Sequence, residues 1–174
     1  MQKFNKSIIY FSIPFILYLV VVVIIDPYNF FQISNLVSDE KKWEISADVE
    51  PHLYKIIEFK NNPKKNIIIG DSRSAALYWY LDKQSYANLA FGGGRLHEAI
   101  SVFWEFIPNH HIDTVVFGIN FNLYNKFNKR FWVEETMPRA NKAFTHSFCK
   151  YTFMSSALII KSFMQKEKID LSKP

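Results

Sequence analysis

Between residues 66 and 118 the chain alternates short β-branched runs with helix-compatible stretches, and no other feature restricts its fold as strongly. Asn66-Ile67-Ile68-Ile69-Gly70 is an apolar run ended by glycine, the pattern of a strand buried on both faces of a parallel sheet. A helix is predicted from Arg73 or Ser74 to about Tyr80, and a second strand from Tyr86 to Phe91. A second helix follows from Arg95 to Phe106, then a third strand over Thr114-Val115-Val116-Phe117-Gly118. Such alternation implies right-handed crossovers and a sheet with helices on both faces, with ligands held at the carboxyl ends of the strands. A short amphipathic helix from His52 to Lys60, stopped by Asn61-Asn62-Pro63, leads into this region.

Ahead of it, Ile8 to Ile25 carries no charge. At about 1.5 Å per residue such a run covers nearly all of a hydrocarbon core about 30 Å thick, so a transmembrane helix is predicted here, with the lipid bilayer as its partner. Asp26-Pro27-Tyr28 follows where a signal peptide would need small residues, which favours an uncleaved anchor. Lys3 and Lys6 precede the run and Asp26, Asp39 and Glu40 follow it, so the positive-inside rule puts the N-terminus in the cytoplasm. The rest of the chain is then extracytoplasmic on a single-pass membrane protein. Four segments result: a cytoplasmic start and anchor over 1–26, a stalk and lead-in helix over 27–62, an α/β core over 63–130, and a helical segment over 131–174. The expected fold class is therefore α/β, a transmembrane helix followed by a partial three-layer parallel-sheet domain.

With 49% hydrophobic and 21% charged residues the chain is not disordered throughout. The net charge of +5 is spread over scattered lysines, so no basic stripe marks a nucleic-acid partner. A single cysteine, Cys149, can form neither an internal disulfide nor a thiolate metal site, and it reads as a small buried apolar residue. Neither a cofactor nor a metal is implied.

Three groups lie just past the three predicted strand ends: Asp71-Ser72, Gly92-Gly93-Gly94, and Asn120. A serine on a strand-to-helix turn has an exposed hydroxyl, able to act as nucleophile, and a backbone N–H able to join an oxyanion hole. Glycines at the next strand end let an acyl group approach a backbone N–H closely. An asparagine at the third can donate a side-chain N–H to the same oxyanion. Singly, each has a plain alternative: a helix cap for Ser72, a loop for the glycines, a local turn bond for Asn120. Their order along the strands makes them one candidate site.

In that order the residues resemble the SGNH or GDSL-type hydrolases, whose blocks begin with Gly-Asp-Ser, a glycine after the second strand, and Gly-x-Asn. The strings IIIGDSRSA, NLAFGGGRLHEAI and VVFGINFNLYN are similar to a membrane-anchored branch found with envelope O-acyltransferase systems. The resemblance covers roughly residues 5 to 130. It implies a flavodoxin-like sheet and acyl esterase or acyltransferase chemistry on a cell-envelope glycan, with an acyl-carrying substrate and a membrane O-acyltransferase as the implied partners. It also implies Ser72 as nucleophile, with the N–H groups of Ser72 and Gly93 and the Asn120 amide as oxyanion hole, while Asp71 shapes the turn.

The chain departs from that family at the general base. None of His52, His97, His110, His111 and His146 follows an aspartate by three residues. His97, beside the glycines, and His146 are the substitutes, and a continuation beyond residue 174 carrying an Asp-x-x-His block is the other expectation. An incomplete enzyme therefore competes with a non-catalytic accessory or glycan-binding protein, and with a plain sheet that has no site. Residues 121–138 are rich in aromatic and basic residues, and Tyr151 to Met164 reads as a helix with one apolar stripe.

Overall fold

The computed structural model of the chain describes the backbone of residues 2–125, 127 and 131–170 and the side chains of residues 9–125, 127 and 131–165. It divides into two compact units, one built from the two ends of the sequence, up to Glu50 and from Ala143, and the other from the continuous stretch between them, Pro51–Lys142.

The first unit is helical, with α1 (Gln2–Ile25), α2 (Asp39–Val49), α7 (Ala143–Ser147) and α8 (Lys150–Asp170). Ile25 of α1, Val37 and Ile159 of α8 form a buried cluster against which Ile45 of α2 packs. The Tyr18 hydroxyl donates to the Ser147 carbonyl at 2.6 Å, and its ring lies 5.7 Å from Phe148 and 6.3 Å from Phe153. Beyond α1 the chain reverses through Asp26, Asn29 and Gln32, all with left-handed φ, at 42°, 56° and 52°. The buried Asp26 carboxylate organises this turn by accepting from the backbone N–H groups of Phe30 (2.7 Å), Phe31 (3.0 Å) and Gln32 (2.8 Å). Burial pushes its carboxyl up from the ordinary range, against the pull of those three N–H groups and of Lys42. Lys42 is itself buried and donates to Asn29 Oδ1 at 2.6 Å.

The transmembrane anchor predicted over residues 8–25 is overturned. The run is helical, but among the described residues no helix is long and apolar enough to cross a membrane. Part of its apolar surface is already used within the unit, because Val22 and Ile25 are buried and Tyr18 is engaged with α7 and α8. A count of uncharged residues does not register that use. The single-pass topology, its orientation and the cell-membrane localisation fall with the anchor. The fold class changes accordingly, from an anchored α/β protein to a mainly helical chain carrying a small parallel sheet. The stretch read as a stalk contains α2, whose first turn carries Asp39 and Glu40 and is capped by Ser38 accepting from the Lys41 N–H.

The second unit contains α3 (Pro51–Asn61), β1 (Asn66–Ile69), α4 (Ser72–Leu77), β2 (Tyr86–Asn88), α5 (Leu96–Phe106), β3 (Thr114–Phe117) and α6 (Trp132–Asn141). The three strands are parallel in the order β2-β1-β3, with Ile67 opposite Ala87 on one side and Val115 on the other. β1 is central, and its Ile67, Ile68 and Ile69 are buried, as an uninterrupted β-branched run requires. Leu53, Ile56, Ile57 and Phe59 of α3 join the core, and the Phe59 ring meets Phe106 of α5 at 5.0 Å. Buried Glu98 of α5 reaches α6 by accepting from the backbone N–H groups of Trp132 and Val133. Because β2 and β3 lie on opposite sides of β1, the winding reverses at β1, and the carboxyl ends of the strands open onto a crevice.

Candidate functional site

At the end of β1 the backbone of Gly70 takes a φ of 136°, open to glycine and strained for other residues. Asp71 follows, buried, and caps α4: its Oδ1 accepts from the N–H groups of Arg73 (3.0 Å) and Ser74 (3.3 Å) and from Ser74 Oγ (3.4 Å). Ser72 is thereby placed as the first residue of α4 with its side chain exposed. Ser74, in contrast, is buried in a slot between two glycines. A Cβ at Gly118 would lie 1.8 Å from Ser74 Oγ, and one at Gly70 2.3 Å from it. These two glycines let the ends of β1 and β3 close around Ser74.

The loop after β2 supplies Gly93, which has a φ of 71°. A cavity of about 390 Å³ at this end of the sheet is lined by Asp71, Ser72, Gly93, Gly94, Asn122, Asn125 and Phe127. Two of the three predicted groups therefore meet there. Asn120 is not among the lining residues; its Oδ1 accepts from the Asn122 N–H at 2.8 Å, capping the 3₁₀ turn Phe121–Tyr124. That turn carries Asn122 to the cavity, so the asparagines at the site are Asn122 and Asn125. Sequence order did not single them out, although the asparagine-rich string after Gly118 was the available signal.

Among the described residues, no histidine lines the cavity. His97 is exposed in the first turn of α5. His52 is stacked on Trp132 at 4.6 Å and tilted against Phe91 at 5.0 Å, His110 Nδ1 lies 3.0 Å from the Phe106 carbonyl, and His111 pairs with Asp113 at 3.0 Å. His146 belongs to the helical unit and is fully buried, its ring stacked 4.3 Å from Phe30 and edge-on to Tyr28 and Phe31, each at 5.8 Å. Both of its ring nitrogens lack a hydrogen-bond partner among the described residues, and burial holds the imidazole down to about 4. Full burial keeps it from serving as a base for any bound substrate. Cys149 is buried and free, and among the described residues no group of three or more His, Cys, Asp or Glu could hold a metal ion.

No family model, no curated protein and no solved structure matches the chain.

Proposed function

We propose that the cavity at the carboxyl ends of the strands is an acyl-ester site with Ser72 as nucleophile, working on an acylated glycan by hydrolysis or acyl transfer. One observation carries this reading: the exposed Ser72 side chain and the glycine loop after β2 line one cavity. In the proposed reaction Ser72 Oγ attacks the ester carbonyl carbon while its proton passes to a base. The C–O bond to the sugar then breaks, the sugar hydroxyl leaves with a proton, and water or a second hydroxyl takes the acyl group from Ser72. Gly93 faces the developing oxyanion from the second strand end. Asp71 is occupied by the N–H groups of Arg73 and Ser74 and serves the turn; His97, exposed in the first turn of α5 and outside the cavity lining, is the histidine proposed to reach Ser72 as the base.

A second reading is favoured by the lining itself. Asn122, Asn125, Asp71 and Ser72 supply hydrogen-bonding groups, Phe127 supplies a ring, and among the described residues no histidine lines the cavity. Such a cavity suits a glycan held without chemistry, on behalf of the acyltransferase that modifies it.

Labelling with a serine-reactive fluorophosphonate, read by intact mass for wild type and Ser72→Ala, separates the two. Adduct on wild type alone supports the nucleophile. Absence of adduct on both, together with binding of an acetylated oligosaccharide in a titration, supports the binding reading and rejects the esterase.

A further inference from the structure

We infer that Lys55 and Asn88 are positioning residues that hold the loop after β2 in the conformation bringing Gly93 to Ser72, an inference that rests on the acyl-ester reading of the cavity. The glycines of the loop contribute no side-chain packing. Gly92, Gly93 and Gly94 carry no side chains, Gly92 and Gly93 are exposed, and a Cβ at Gly92 would meet nothing within 4 Å. Side chains from neighbouring elements add to its own turn bond.

The imposed contacts converge on Ala90, which is fully buried and whose two backbone polar groups are both taken by side chains. Its N–H donates to Asn88 Oδ1 at 3.2 Å, and its carbonyl accepts from Lys55 Nζ at 2.7 Å. The other end of the Asn88 amide donates to the Ala75 carbonyl at 3.3 Å, within the helix that Ser72 begins. Phe91 N–H donates to the Gly70 carbonyl at 3.0 Å, and Gly94 N–H closes the turn onto the Phe91 carbonyl at 3.0 Å. The loop is thus tied to α3 through Lys55, to α4 through Asn88, and to β1 through Gly70. Asn88 joins the two halves of the site directly, since one side chain fixes both the Ser72 helix and the Gly93 loop.

A lysine is a costly donor for this task. Burial disfavours its ammonium and lowers Lys55 to about 8, with Glu58 giving partial relief. A backbone donor would satisfy one carbonyl at lower cost. A long, charged donor reaching from another helix is accounted for if the position of the loop matters.

The test compares the full chain with Lys55→Met, Lys55→Arg, Asn88→Ala and Asn88→Asp by amide hydrogen exchange and by the rate of fluorophosphonate labelling. Lys55→Met and Asn88→Ala are expected to speed exchange at Ala90 and Gly94 about tenfold, to slow labelling by a similar factor, and to leave the β1 amides as in wild type. Lys55→Arg, which keeps a charged donor, is expected to recover most of the protection, and Asn88→Asp, which keeps an acceptor for the Ala90 N–H but loses the donor to the Ala75 carbonyl, only part of it. Unchanged exchange at Ala90 and Gly94, or equal acceleration in β1, overturns the inference, the latter because it would mark a general loss of stability. A wild-type chain that takes no label rejects the nucleophile reading, and the exchange pattern still decides whether these residues hold the loop.

Discussion

His146 makes the helical unit sensitive to acid by an amount that can be worked out from its surroundings. The imidazole is enclosed by Phe30, Tyr28 and Phe31 and has no polar partner among the described residues for either nitrogen, so the folded chain resists protonating it down to about pH 4. The unfolded chain takes up that proton near the ordinary value of 6.5. Between these limits the unfolded state binds more protons, and stability falls as the pH falls. The stabilisation is complete above about 6.5 and exhausted near 4. At pH 5 the imbalance amounts to about 1.5 units, or about 2 kcal/mol at 1.36 kcal/mol per unit. For a chain of this size that is a drop of about 4–8 °C in Tm. Asp26 titrates with the opposite sign: its raised carboxyl favours the folded state on acidification, so the wild-type profile alone does not isolate the histidine. His146→Phe does, because it keeps a flat ring against Phe30 and removes the titration. Thermal unfolding of both proteins, followed by far-UV circular dichroism at pH 7 and pH 5, should show wild type losing about 2 kcal/mol more than the variant. Parallel losses would refute the reasoning.

Two further perturbations test other parts of the structure. Gly118→Ala puts a methyl group into the space of Ser74 Oγ and should cost about 1–3 kcal/mol in urea unfolding, with Ser74→Gly in the same chain restoring most of the loss. Asp26→Ala removes the acceptor of three backbone N–H groups at a turn with left-handed φ and should lower stability by about 3 kcal/mol, visible as a lower urea midpoint with an unchanged slope.

Where a residue's surroundings lie in its own sequence neighbourhood, the chain is readable. Ile67-Ile68-Ile69 and Val115-Val116-Phe117 mark β1 and β3 because β-branched and aromatic runs suit a pleated surface, buried in β1 and half-buried in β3. β2 was expected to reach Phe91 but ends at Asn88. Leu89, Ala90 and Phe91 are buried like strand residues, and pattern cannot distinguish a strand from a loop whose side chains drop into the core. The helix at 39–49 is not legible from periodicity although Ser38-Asp39-Glu40 is a proper start, since the helix buries Lys42 and Ser46 and so lacks an apolar period. Ser72 and Gly93 could be found because each follows a strand directly. Asn122 and Asn125 could not, because Asn120 is used as a cap and the turn after it moves the cavity contact onward. Lys55 was equally hidden, its partner being a backbone carbonyl 35 residues later.

The division of the chain also bears on its synthesis. The sheet unit is one uninterrupted stretch, Pro51–Lys142, whereas the helical unit needs both ends of the sequence. A ribosome delivering the chain from its N-terminus releases everything the sheet unit requires once Lys142 has cleared the exit tunnel. At that moment α1 and α2 are already outside but still lack α7 and α8. The part that begins second can therefore finish folding first, because a domain folds as a unit once all of it is available. Until α8 arrives, the apolar side of α1 and the buried Lys42 of α2 wait without their final neighbours. A chaperone that recognises apolar helices would meet this protein in that interval, and a ribosome stalled once Lys142 has cleared the tunnel would display it.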